Sequence, residues 1–228
     1  MMRIAEEVVK QGMAAGSAFM DAITDLIWTE KLKRIIETGS YHGTGTTRAI
    51  RNGMTGGEDV YSIEVNPAHH RIAKKNNADS GINFLLGISV PNSMKPVSST
   101  FDVPDWVIID HQPNVRDGLY TREIMFNVPD DMLRYAMSKV DFRPDLVILD
   151  SAGHMGLIEF KHLMTLVPDD HTFYLALDDT NHVKHYDTLQ IIQADERFTE
   201  VFSTDEKFGS VIVKVSGRGG LDDVSDLL

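Results

Sequence analysis

Three aspartates in this 228-residue chain are spaced to gather at one point. Asp150 closes the apolar run Leu146 to Leu149, and Asp178 with Asp179 closes the run Phe173 to Leu177. If both runs are neighbouring strands of a parallel sheet, the three carboxylates meet at one sheet edge. There they repel and are driven toward protonation unless a cation offsets them. A hard divalent ion with oxygen ligands, Mg2+ or a similar cation, is the simplest candidate, with Asp150, Asp178 and Asp179 as its ligands. The alternative is that strand-end aspartates cap helices and help position a cofactor without metal. His154, in Ser151-Ala-Gly-His154, is the first choice of general base because imidazole titrates near neutral pH. A His154 that only orders its loop is the competing reading. Asn181-His182-Val-Lys-His185 is expected to open the next helix, with His182 either touching substrate or metal or simply solvated.

A second group of residues suits a nucleotide-like ligand. Arg34-Ile-Ile-Glu37-Thr-Gly39-Ser-Tyr41-His-Gly43-Thr reads as a buried strand that enters a glycine turn and then a helix. Gly39 and Gly43 permit positive φ and close approach of backbone to a ligand, and Thr44, Thr46 and Thr47 suit a helix start. A G-x-G-x-x-G pattern from Gly43 would need glycine at Arg48, so the dinucleotide fingerprint fails. Glu64 ends the next strand, in Tyr61-Ser-Ile-Glu64-Val-Asn-Pro, where a carboxylate can accept hydrogen bonds from both hydroxyls of a ribose.

The elements needed to position these groups are legible as alternation. Strand-like segments at Val60 to Ile63, Ile82 to Leu86, Leu146 to Leu149 and Phe173 to Leu177 are separated by helical or loop segments, which implies a parallel sheet covered on both faces. Phe198 to Phe202 and Ser210 to Val215, joined by a short polar stretch, suit an antiparallel edge hairpin. Apolar positions from Ile4 to Ile27, broken near Gly12 and Gly16, predict two helices before the first strand, so residues 1–32 form a helical lead packed on the core. Residues 33–215 form the main domain. Its insertion, at about 91–130, is longer than one crossover requires. Trp106 to Ile109, ending at Asp110, competes with Leu146 to Leu149 for the place of fourth strand. His111, Arg116 and Tyr120 make the insertion a candidate substrate lid, and an oligomer contact, such as a homodimer, is its other use. Residues 216–228 read as a flexible acidic tail.

A formal charge of −12 argues against a partner gripped through its phosphate backbone, so no nucleic acid is expected. The absence of cysteine excludes disulfides, thiolate nucleophiles and cysteine-held metals. No apolar run approaches the ~20 residues of a membrane span and no signal-type block opens the chain, so a soluble, cytoplasmic protein without a membrane partner is expected.

From about residue 33 to residue 215 the sequence resembles the class I S-adenosylmethionine-dependent methyltransferases, most closely the small-molecule O-methyltransferases. Glu37-Thr-Gly39-Ser-Tyr41-His-Gly43-Thr looks like their first motif, and Ser62-Ile-Glu64-Val-Asn-Pro-Ala-His-His-Arg looks like their second strand and following helix. Leu85-Leu-Gly87-Ile-Ser89 is similar to the third motif and Asp145-Leu-Val-Ile-Leu-Asp150 to the fourth. The resemblance implies a doubly wound Rossmann-like α/β fold, with a mostly parallel seven-stranded sheet and an antiparallel C-terminal hairpin. It also implies S-adenosylmethionine as cofactor. Gly39, Ser40, Tyr41 and Gly43 would border its methionine and ribose, Glu64 would hold the ribose hydroxyls, and Ile88 with Ser89 would border the adenine. Glu37, Thr38, Thr44, Val65 and Gly87 complete the expected cofactor contacts, and Asp150 stands at the reacting end as a catalytic group. The spacing of Asp150 and Asp178 also resembles that of metal-dependent members.

The expected activity is O-methylation of a small hydroxylated acceptor, of sugar or phenolic type, assisted by a divalent metal. Two rivals stay open: a non-catalytic nucleoside-ligand binder of the same fold, and a nicotinamide-dependent oxidoreductase.

Overall fold

The computed structural model describes residues 17–95, 104, 106–107, 125–153 and 155–217. Seven strands form one sheet: β1 Arg34–Thr38, β2 Asp59–Glu64, β3 Asn83–Leu86, β4 Leu146–Leu149, β5 Thr172–Asp178, β6 Phe198–Thr204 and β7 Ser210–Ser216. The spatial order is β3-β2-β1-β4-β5-β7-β6. Strands β1 to β5 are parallel, whereas β7 lies antiparallel between β5 and β6.

The helices that cover the sheet are α1 Ala18–Glu30, α2 Thr46–Gly53, α3 Pro67–Asn76, α4 Met132–Lys139, α5 Met155–Leu166 and α6 Tyr186–Ala194. None of the described helices is long and apolar enough to cross a membrane. Two large apolar clusters flank the sheet, and the strand pleat divides residues between them. Leu146 and Ile148 of β4 join Ile35, Val60 and Ile212 on one face, while Val147 and Leu149 join Ile36, Leu177 and Val213 on the other. A strand buried on both sides needs a continuous apolar run, which is why β4 reads Leu-Val-Ile-Leu.

Helix α1 belongs to the first of these faces. Phe19, Met20, Ile23 and Ile27 form its buried stripe, Ser17 caps its start by accepting a hydrogen bond from the Met20 amide, and Lys31 ends it in a left-handed conformation. The other predicted leading helix lies outside the described residues, as does most of the tail.

Between β3 and β4 the chain forms a 3-10 turn at Asn92–Met94 and then α4. The fourth strand is the run ending at Leu149. Trp106 and Val107 occupy a turn, Val107 buried and the exposed Trp106 ring set edge-on to Tyr186 at the start of α6. The helix after β5 begins at Tyr186, later than its sequence suggests, because residues 180–185 form turns tied to other segments. Truncating the stripe of α1 tests its docking: Ile23→Ala should cost about 2–5 kcal/mol in urea denaturation, and a cost near zero would mean that α1 does not support the core.

Candidate active site

The glycine turn leaves β1 at the carboxyl edge of the sheet, next to the place where the strand order reverses between β1 and β4. Gly39 is at φ +78°, and a Cβ there would lie 2.3 Å from the carbonyl oxygen of Asp150. Only glycine lets the turn cross the end of β4 this closely. Gly39 and Ser40 donate their amides to the Ile63 carbonyl, and Gly43 donates to Ser40, so the turn is fixed to β2 and to itself.

Glu37 is fully buried beneath this turn. Its carboxylate accepts hydrogen bonds from the hydroxyls of Thr46, Thr47 and Ser62. Thr46 and Thr47 open α2, as their place in the sequence suggests, and their hydroxyls reach Glu37, because a buried carboxylate without partners is far costlier than an uncapped helix end. Gly45 takes the N-cap position of α2 without a side-chain bond, and Thr44 is exposed. Burial pushes the Glu37 carboxyl above its usual range, against the three hydroxyls that favour its charge.

Glu64 is 5% exposed at the end of β2. Two backbone amides hold its oxygens, Tyr41 N–H at 2.7 Å and Asn66 N–H at 2.8 Å. In the turn, Ser40 Oγ is buried with no hydrogen-bond partner among the described residues. Tyr41 is left-handed at φ 47° and exposed, with its ring stacked on His42 at 3.8 Å.

Beyond β3, the Gly87 amide donates to the Glu64 carbonyl, and Ile88 and Ser89 accept from the first amides of α4. Ile88 and Val90 are buried with Met155, and Val65 packs against them in a small cluster of its own. Glu159, absent from the sequence expectations, links these parts. It is fully buried on α5 and accepts from Thr38 Oγ1 at 2.9 Å and Ser151 Oγ at 2.7 Å, with a further bond from Ser89. Its signal was a lone carboxylate in the otherwise apolar start of α5, Met155-Gly-Leu-Ile-Glu159-Phe.

The three aspartates do converge. Oxygen atoms of Asp150, Asp178 and Asp179 lie within 4.8 Å of one another. The charge that offsets them is Lys184. Its ammonium donates to Asp150 Oδ1 at 2.6 Å and to Asp179 Oδ2 at 3.0 Å, with the side chain 4% exposed. Asp178 accepts from Ser210 Oγ at 2.8 Å. A divalent metal therefore does not fit the cluster as built, since the gap between its oxygens holds an ammonium. The sequence reading had singled out the segment 181–185 for its histidines and passed over the lysine between them.

Those histidines are buried, not solvated. His182 accepts the Lys184 amide at Nδ1, and fully buried His185 donates from Nε2 to the Leu149 carbonyl at 3.0 Å. Burial, reinforced by the Lys184 charge, pushes His185 down to about 3, so it is neutral. Burial also pushes Asp178 above the usual carboxylate range, with Asp150 beside it adding to the rise. Burial raises Asp150 likewise, and Lys184 only partly offsets it. For Asp179 burial is outweighed by the ammonium, which holds it low, and the surrounding carboxylates keep Lys184 firmly protonated despite burial. His154, His111, Arg116 and Tyr120 lie outside the described residues.

The sequence matches no protein-family model and no curated protein. Solved structures match its architecture. An O-methyltransferase from Bacillus cereus, solved with SAH, is 13% identical with a TM-score of 0.55, covering 94% of this chain and 88% of that one. TomG from Streptomyces achromogenes, an O-methyltransferase involved in tomaymycin synthesis and solved with SAM, is 11% identical with a TM-score of 0.56, covering 93% and 86%. A methyltransferase from Geobacter sulfurreducens is 10% identical with a TM-score of 0.56, covering 94% and 85%. The fold is that of the class I methyltransferases. Within this methyltransferase fold, the glycine turn, Glu64 and the aspartate–lysine cluster share one edge of the sheet.

Two outcomes check this geometry. Gly39→Ala forces a Cβ into the Asp150 backbone at positive φ, and should cost at least about 1–3 kcal/mol in denaturation. Because folded Asp178 binds its proton more tightly than the unfolded chain, whose aspartates titrate near ~3.9, its contribution to stability should fall as pH rises from about 4 toward neutrality, while neutral His185 contributes in the opposite direction. Asp178→Asn should remove that contribution, read as a wild-type minus variant difference that shrinks with rising pH in thermal melts across the same range.

Proposed function

We propose that the protein is a methyltransferase that uses S-adenosylmethionine to methylate a hydroxyl oxygen of a small acceptor. One observation carries the reading: a buried carboxylate, Glu64, clamped by two backbone amides beside a glycine turn whose buried Ser40 hydroxyl lacks a protein partner. A ribose diol suits a carboxylate at this strand end, and the polar end of an amino acid suits Ser40. Gly39 and Gly43 let the turn pack closely on its neighbours, against the Asp150 backbone and against Ala73 and Asn77, with Val65, Ile88 and Ser89 bordering a flat base. The cofactor supplies a methyl group activated on a sulfonium.

The protein's part is to align, to exclude water and to accept a proton. The acceptor oxygen attacks the methyl carbon in line with the breaking carbon–sulfur bond, whose electron pair returns to sulfur. The acceptor's proton goes to a base near the end of β4, a role we assign to Asp150 or to His154, which follows it by four positions in sequence. The resemblance to small-molecule O-methyltransferases favours a sugar or phenolic acceptor.

Isothermal titration with S-adenosylhomocysteine tests the reading before an acceptor is known. Binding in the micromolar range, about −8 kcal/mol, is expected, and Glu64→Ala should weaken it at least about tenfold. An intact protein that takes up neither S-adenosylhomocysteine nor S-adenosylmethionine would sink the proposal.

A further inference from the structure

We propose that the Lys184 ammonium is the resident cation of the Asp150, Asp178 and Asp179 cluster, and that the protein works without a divalent metal. The gap is the right one for a metal and it is filled. Mg2+ needs oxygen ligands at about 2.0–2.1 Å in near-octahedral array. The Lys184 nitrogen bonds two of the three carboxylates that would supply them, 2.6 Å from Asp150 and 3.0 Å from Asp179. To admit a metal, the lysine would have to leave a site where its side chain is 4% exposed and give up both ion pairs.

The backbone around Lys184 leaves it little room to do so. Asp179 is held at φ 60°, a conformation that L residues rarely adopt. Thr180 and Asn181 donate their amides to Gly209 and Phe208 in the β6–β7 connection. His185 is anchored to the end of β4 through Leu149. The Lys184 carbonyl presses on the first turn of α5 at Gly156, where a Cβ would lie 2.2 Å from its oxygen. A glycine is required there for the lysine-bearing segment to pack as it does. The segment is thus fixed from three sides with its ammonium aimed into the cluster.

A fixed ammonium and a chelated metal act differently on an acceptor. A metal can bind two adjacent oxygens at once, whereas an ammonium offers one charge and a directed N–H near the place where negative charge develops. An acceptor with a single hydroxyl therefore suffices, and a vicinal pair is not needed. Only this last consequence rests on the methyltransferase reading.

Mn2+ titration followed by electron paramagnetic resonance tests the assignment on the full chain, with Lys184→Met, Lys184→Arg and Asp179→Asn alongside. Wild type should show no saturable site below about 1 mM that Asp179→Asn removes. Lys184→Met should gain a site at least about tenfold tighter, and Lys184→Arg, which keeps the charge, should not. Submillimolar Mn2+ binding by wild type that Asp179→Asn abolishes would overturn the proposal, as would equal binding by wild type and folded Lys184→Met. If Lys184→Met does not fold, the wild-type and Asp179→Asn titrations decide alone. Failure to bind S-adenosylhomocysteine would sink the methyltransferase reading and leave this result standing.

Discussion

A buried ammonium between two carboxylates joins the carboxyl ends of β4 and β5, and the candidate active site is arranged around it. Lys184 comes from the chain that follows β5, Asp150 from the end of β4 and Asp179 from the end of β5, so the ion pairs tie three segments that the sheet alone leaves free at this edge. Taking such groups out of water is expensive, and the arrangement is sustained only because every charge has a partner. Removing one partner leaves an uncompensated buried charge, a loss of about 3–5 kcal/mol in comparable cases. The strain at Asp179 and the close contact at Gly156 are sustained by the same pairing.

The acids around the glycine turn follow a related rule with hydroxyls in place of a cation. Glu37 sits under three hydroxyls, and Glu159 gathers Thr38, Ser151 and Ser89. Each carboxylate draws several loops to one point, so the turn after β1, the segment after β3 and the segment after β4 hold one another in place. Glu64 differs, because backbone amides of Tyr41 and Asn66 hold its two oxygens, with His69 beside it. A rigid wall that ends in one polar group and one unpartnered hydroxyl is the kind of preorganised surface that binding requires.

The fold and the site carry separate arguments. At 10–13% identity the solved methyltransferases share this architecture and say little about individual side chains. Fold alone does not choose a reaction, since the same scaffold hosts many. Glu64, Ser40 and the aspartate–lysine cluster make the functional case.

Much of the scaffold was legible in the sequence because its signals are local. The runs at β1, β2, β4, β5 and β7, the glycine turn and the edge hairpin all follow from apolar runs, turn residues and chain direction, and the structure places each within a residue or two of its expected position. Sequence also determined that the three aspartates would meet, since parallel neighbours end at the same edge. Through charge repulsion it led to the expectation that a cation or a proton would relieve them, beside the alternative that they only cap helices and position a cofactor. What it could not determine was the identity of that cation, the start of α6, or the partners of Glu37 and Glu159. Those depend on where side chains distant in the chain arrive once the strands are packed. Lys184 and Asp150 are far apart along the sequence, and only the tertiary structure, by burying the ammonium beside a partly buried carboxylate, decided that they pair.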